Sequence, residues 1–275
     1  MKPDHIDKAL SHLYDAGITK VIMSYDGPDD LEDTHLNIYK KYKSKFDTIE
    51  YIKLEFNAGL SKCRNAMIDK TDTEYILLLD DDNYIPKDIL DIVKWMDTHK
   101  EMGGCGLGWV MDTKGHNRIQ NGACNLSIYN RELIRQVPLK HKSEWFQGQM
   151  YWYPFHMIEN TAILRKAIFD DIRWDEKYII EREHEDFYLQ QKYLSKWKFA
   201  VCATMYAYHD REFKNIDKRF KEYRLGTEAD KSAEYFNKKW NLKNYPLKDI
   251  NPKIFDSFFA AKVYNNIWRE YFGKI

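Results

Sequence analysis

The sequence carries no surplus of charge: 43 lysines and arginines face 43 aspartates and glutamates, for a formal net charge of zero. A balanced chain sets up no global field for a polyanion, which disfavours nucleic acid as the main partner. Paired cysteines are missing as well. Cys63, Cys105, Cys124 and Cys202 are scattered without a CxxC pair, a spacing that fits neither a zinc site nor a small disulfide framework. They read as free, small hydrophobes in a reducing, cytoplasmic setting. The polar opening Met1 to His5 is not that of a signal peptide. Nor is any apolar run long enough to cross a bilayer, since the longest, Phe199 to Tyr208, covers ten residues. Internal repeats and low-complexity linkers are also absent. What remains is a 275-residue chain, enough for one large α/β domain with a helical appendage around a sizeable core.

Local patterning alternates between helix and strand. Ile6, Leu10 and Leu13 share a helical face that Gly17 ends. Val21–Met23 is a short buried strand running into the turn signal Tyr25-Asp26-Gly27-Pro28. A helix over about 30–45, a strand around Ile49–Ile52 and a helix opened by Ser61 follow. Tyr75–Leu79 is a continuous apolar run, as a strand covered on both faces requires. Pro86 opens a helix through Trp95, and Gly103–Met111 reads as a strand whose glycines admit close approach of another backbone. This alternation predicts a doubly wound, mostly parallel sheet. From Lys114 to Pro154 the pattern loosens into an irregular, aromatic-rich segment of the kind that often binds ligand. Order returns with a helix over Glu185–Trp197 and the strand Phe199–Tyr208, and from Arg211 the chain reads as helical with a solvated, charged face packed through Tyr235, Phe236 and Trp240.

Three groups of residues carry chemistry. Asp80, Asp81 and Asp82 stand at the end of the buried Tyr75–Leu79 strand, where ligands of open α/β sheets bind. Crowded carboxylates repel one another unless a cation or solvent relieves them. Hard oxygen ligands suit Mg²⁺ or Mn²⁺ with places left for diphosphate oxygens, although a solvated acidic turn is the plainer alternative. Glu183-His184-Glu185-Asp186 opens a helix, where acids either complement the helix dipole or supply a general base. His209 follows the Phe199–Tyr208 strand, as a structural histidine or as a metal ligand.

Taken in order, the segments Val21–Pro28, Asn57–Asn65, Tyr75–Asn83, Trp174-Asp175, Glu185-Asp186 and Tyr208-His209 resemble those of glycosyltransferase family 2 and related GT-A enzymes, across almost the whole chain. A softer similarity joins the Trp174 to Asp186 stretch to β-1,4-galactosyl- and N-acetylgalactosaminyltransferases. The resemblance implies a GT-A fold, an α/β sheet flanked by helices, and a metal-dependent, inverting transfer of sugar from a nucleotide-sugar, with UDP-sugar the first expectation. It implies that Asp26 contacts the base and Arg64 helps hold the nucleotide. Asp80 would lie by the ribose and sugar, Asp81 would be a spacer beside the donor, and Asp82 and His209 would ligate Mn²⁺ or Mg²⁺. Asp186 would be the catalytic base with Glu185 gripping the acceptor, a glycan, glycolipid or protein.

The resemblance begins just after the apolar strand that normally opens the family pattern, so the expected sheet lacks that strand. The expected organisation is a GT-A domain over 1–210, split into a nucleotide-binding half (1–112) and an acceptor half (113–210), with a helical extension over 211–275. Two alternatives stand beside it. A sugar-phosphate nucleotidyltransferase shares the nucleotide-binding layout but lacks its glycine-rich basic loop here. An inactive glycosyltransferase-like binding module is suggested by the absent strand and opposed by the retained acids.

Overall fold

The computed structural model describes residues 3–113, 116–120, 123–136, 142–210, 227–243 and 248–250. Helix α1 (Pro3–Asp15) buries Ala9, Leu10 and Leu13 on one face and stops before Gly17, whose φ of +76° is the left-handed conformation glycine adopts freely. Strand β1 (Lys20–Tyr25), helix α2 (Glu32–Tyr42), strand β2 (Thr48–Lys53), helix α3 (Leu60–Lys70) and strand β3 (Tyr75–Leu78) then alternate as the apolar pattern predicts. They are followed by β4 (Asn83–Tyr84), α4 (Asp91–Thr98), β5 (Met102–Thr113), β6 (His116–Gln120), β7 (Asn125–Tyr129), β8 (Glu132–Gln136), β9 (Lys142–Phe146) and β10 (Gln149–Phe155). The remainder comprises β11 (Ala162–Arg165), α5 (Ile168–Asp171), α6 (Glu183–Leu194), β12 (Lys198–His209), α7 (Thr227–Lys239) and β13 (Lys248–Ile250).

The main sheet runs β3-β11-β5-β12-β10-β9, with β4 added to β12 and β6 to β5. It is mixed rather than mostly parallel. Among its described strands only β5 and β12 are paired in parallel: β11 returns antiparallel between β3 and β5, and β10 antiparallel between β12 and β9. Along β12 the residues alternate between two cores: Phe199, Val201 and Ala203 face one, Ala200 and Cys202 the other. Both faces of a central strand are thus covered, which is why its sequence is apolar without a break. Strands β1 and β2 pair parallel in a sheet of their own. Among the described residues no strand joins β1 to β3.

Four expectations are corrected. The stretch after Lys114 is not irregular but holds β6 to β10, arranged largely as hairpins. The β7–β8 turn is Asn130-Arg131 (φ 51° and 62°) and the β9–β10 turn is Gln147-Gly148 (φ 50° and 81°), pairs of positive-φ residues that match hairpin twist without an Asn-Gly signal. Helix α4 begins at Asp91 rather than Pro86, a run of turn residues intervening. Helix α3 starts from Gly59, and Ser61 lies buried inside it instead of capping it. Beyond Arg211, α7 is helical as expected, but β13 pairs with β8; residues 211–226 and 251–275 lie outside those described. Gly103 and Gly104 do allow close approach, of side chains: a Cβ there would fall 2.7 Å from Ile168 and Trp197, or 2.6 Å from Leu164 and Phe199.

Candidate active site

The start of helix α3 ties the candidate residues together. Asp26 leaves the end of β1, and its Oδ2 accepts the Gly59 N–H at 3.1 Å while its carbonyl accepts the Asn57 N–H at 2.8 Å. Gly59 has φ +93° and ψ 154° and lies against the backbone of Ile179, whose carbonyl accepts the Leu60 N–H at 3.1 Å. One turn on, Asn65 donates to the Trp174 carbonyl and to Glu176, both at 2.9 Å. The helix is therefore a wedge between the Asp26 turn and the segment leading to α6.

Arg64 lies on the buried side of that wedge, 1 % exposed. Its guanidinium stacks on Trp174 at 4.4 Å, donates to Asp80 at 3.2 Å and stands 3.9 Å from Glu183. A buried cation needs such partners, because desolvation alone would be costly. Asp80 is itself 31 % exposed. Burial pushes the Glu183 carboxyl above its ordinary value; Arg64 opposes that shift, and Glu185 and Asp80 add to it.

Asp81 is exposed and Asp82 partly so. The two-residue pairing of β4 with β12 sets Asn83 opposite His209, and the Asp210 N–H donates to the Asp82 carbonyl at 2.8 Å. Residues far apart in sequence thereby meet, with His209 Nε2 3.6 Å from Asp82 Oδ2. The imidazole is braced edge-on against Trp109 at 4.6 Å. A carboxylate oxygen and an imidazole nitrogen suit Mn²⁺ or Mg²⁺, and the separation is short enough for one ion with bonds of about 2.1 Å to touch both. Among the described residues no group of three or more protein ligands exists, so these two would hold an ion together with donor phosphates and water, as Mg²⁺ sites commonly do.

Helix α6 begins on strained backbone: Glu181 and Arg182 have φ of 61° and 68°, a conformation that costs non-glycine residues free energy and recurs at functional sites. Its first turn points acids in different directions. Glu183 faces Arg64, whereas Asp186 is fully buried on another side. Asp186 accepts from Tyr178 Oη (3.2 Å), Gln190 Nε2 (2.7 Å), Lys239 Nζ (2.9 Å) and Trp240 Nε1 (2.7 Å). Glu185, nearly buried, receives no hydrogen bond from a described residue. Lys239 also reaches Asp175 at 2.7 Å. That lysine was expected on a solvated face; instead its side chain is 26 % exposed and lies between two carboxylates.

Several residues of this centre escape sequence reasoning. Glu183 is hidden among neighbouring acids, and Tyr178 and Gln190 look like ordinary helix and loop residues. A lysine followed by a tryptophan at the end of an amphipathic helix, Lys239-Trp240, was the only trace of the contact with Asp186. Of the tryptophans near these segments, Trp152 and Trp174 are core residues, and Trp174 stacks on Phe187 at 4.2 Å. Trp145 is 63 % exposed. His156 accepts the Leu126 N–H on Nδ1 at 3.0 Å and has a structural role, while His116 and His141 lie where no side chain is described.

Residues 6–155 match the family model of glycosyl transferase family 2. The fold is similar to that of residues 1–349 of S. aureus TarS in complex with UDP-GlcNAc, at 18% identity and a TM-score of 0.52 over 86% of this chain and 69% of that one. It is also similar to GalNAc-T7 with UDP, GalNAc and Mn²⁺, at 12% identity and a TM-score of 0.51 over 92% of this chain and 52% of that one. No curated protein sequence matches the chain.

Proposed function

Because the chain belongs to glycosyl transferase family 2, we propose that this glycosyltransferase moves a sugar from a UDP-sugar to an acceptor hydroxyl with inversion, assisted by Mn²⁺ or Mg²⁺ at Asp82 and His209. The observation that carries the reading is the meeting of those two side chains at 3.6 Å across the β4–β12 bridge, beside the Arg64–Asp80 pair. Similar folds that hold UDP, UDP-GlcNAc or Mn²⁺ support it. The GT-A domain would span 1–210, nucleotide-binding half first, with 211–275 as an extension. Four free, buried cysteines fit a reducing cytoplasm, and no described helix is long and apolar enough to cross a membrane.

Asp26, held by the Gly59 N–H, would accept from the nucleobase, and Asp80, held by Arg64, would meet the ribose and sugar with Asp81 beside it. A bound ion supplies positive charge to the diphosphate leaving group. In the reaction the acceptor oxygen bonds to the anomeric carbon from the opposite face. The bond to the phosphate oxygen breaks with its electron pair leaving on the nucleoside diphosphate, and the acceptor proton passes to Asp186. Glu185, which receives no hydrogen bond from a described residue, would orient a glycan, glycolipid or protein acceptor.

The test is UDP release from a panel of UDP-sugars with Mn²⁺, with EDTA, and with Asp82→Ala. Turnover is expected with Mn²⁺ and is expected to fall about a hundredfold without metal or without Asp82. Equal turnover in all three conditions would sink the metal assignment, and no turnover with any UDP-sugar would sink the donor class.

A further inference from the structure

Asp186 poses a problem for its own role. An ionised carboxylate offers about four lone-pair sites, and in this structure four donors occupy them. To take a proton from an acceptor hydroxyl it must first release one. The identity of that donor decides how the site opens.

Tyr178 and Trp240 are poor candidates. Tyr178 is fully buried and packs against Tyr235 at 5.1 Å, and Trp240 packs against Tyr193 at 5.9 Å. Turning the Tyr178 hydroxyl away would strand a buried polar hydrogen, and the half-buried Trp240 indole is held by its ring contact. Gln190 has a second acceptor, the Arg173 carbonyl at 3.2 Å, but its release would remove no charge from the carboxylate. Lys239 differs on every count. It is long and flexible, its side chain reaches solvent at 26 % exposure, and it is already 2.7 Å from Asp175. Asp175 is a prepared resting place: it also accepts from Tyr235 Oη at 2.9 Å and from the Lys177 N–H at 3.1 Å.

We infer that Lys239 is the exchangeable partner of Asp186: it orients the carboxylate, then withdraws onto Asp175 as an acceptor hydroxyl takes its place. Lys239 and Asp175 are then positioning residues, and α7 belongs to the reaction centre although it lies outside the segment matched by the family. The chemistry favours the timing, because a carboxylate that loses an adjacent cation becomes a better proton acceptor. The pair also stays charged through the exchange. Burial opposes the Lys239 charge, but its hydrogen bonds to Asp175 and Asp186 raise its pKa overall. Burial likewise pushes Asp175 up, and the donors around it hold it below its ordinary value.

This inference rests on Asp186 being the base, and the experiment separates the two. Release of UDP is followed for the UDP-sugar turned over fastest, with water as acceptor, for Lys239→Met, Lys239→Arg, Asp175→Asn, the double variant Lys239→Met/Asp175→Asn, and Asp186→Asn, each alongside its melting temperature. Lys239→Met is expected to lower kcat at least about tenfold, a loss of the size misplacement of a reacting group brings, with donor KM within about twofold of wild type. Lys239→Arg restores most of kcat. Asp175→Asn lowers kcat by itself, and the double variant is no worse than Lys239→Met, because both act through one exchange. A structural role would instead move melting temperature, kcat and KM together. Wild-type kcat in Lys239→Met or Asp175→Asn, or losses that multiply in the double variant, overturns the inference, while loss of turnover in Asp186→Asn leaves the base in place. Full kcat in Asp186→Asn, or no turnover with any UDP-sugar, overturns both.

Discussion

Replacing Gly59 with alanine tests the wedge that joins the Asp26 turn to the approach of α6. At φ +93° and ψ 154° the backbone occupies a region almost reserved for glycine, and holding a side chain there costs about 1–3 kcal/mol. The new Cβ would also lie 2.7 Å from Ile179 Cα, 2.9 Å from its carbonyl oxygen and 3.2 Å from its carbonyl carbon. These are backbone atoms, so no rotamer change relieves the contact, and overpacking of this kind adds roughly 1–3 kcal/mol. The sum, about 2–6 kcal/mol, corresponds at its middle to a melting temperature lowered by roughly 10 °C in a chain of this size. Gly17 is the control. Its φ is +76° with nothing within 4 Å of an added Cβ, so Gly17→Ala carries only the conformational cost, about 1–2 kcal/mol. Thermal melts of both variants isolate the Ile179 contact, and UDP titrations report on Asp26, which loses a well-placed donor when Gly59 shifts. Equal melting temperatures for the two variants would refute the reasoning, because the wedge would then bear no load at Ile179.

Arg64→Met removes the cation shared by Asp80 and Glu183 and is expected to destabilise the fold by about 3 kcal/mol, the cost of leaving a buried acid unpaired. Burial raises the Glu183 carboxyl above 4.5, so its share of stability is full below that value and is lost as pH rises through the higher folded value. The variant should therefore lose more melting temperature at pH 8 than at pH 5, and a pH-independent loss would count against the Glu183 contact. His156 runs the other way. Burial lowers its pKa below 6.5 and its Nδ1 must stay unprotonated to accept the Leu126 N–H, so it withdraws stability as pH falls below 6.5 toward the folded value. His156→Asn should flatten that acid decline in thermal melts; an unchanged slope would exclude the histidine as its source.

What the sequence discloses and what it hides follow one physical division. Continuous apolar runs such as Tyr75–Leu79 and Phe199–Tyr208 are legible because a strand with a core on each face leaves little alternative composition; Phe199–Tyr208 proved to be the central strand β12, and Tyr75–Leu78 the end strand β3 of the main sheet. The hairpins after β6 were missed because Asn130-Arg131 and Gln147-Gly148 make their turns without the usual residue pairs. The mixed sheet was missed because β11 is four residues long, too short for periodicity to assign a direction.

The same division runs through the site, and it bears on which residues deserve mutation. Asp26, Asp80, Asp82 and His209 are readable because each stands where a strand ends, a position fixed by local pattern. Their partners arrive from elsewhere in the chain. Arg64 and Glu183 are 119 positions apart, and Lys239 follows Asp186 by 53, so only the packing of α3, α6 and α7 brings them together. A buried ion needs its counter-ion whatever the sequence distance. The residues that orient the legible acids are therefore those that a motif search cannot supply, and in this chain they cluster on the buried sides of three helices. Substitutions at Arg64, Asp175 and Lys239 consequently separate the orientation of an acid from its chemistry, a distinction that removal of Asp80, Asp82 or Asp186 cannot make.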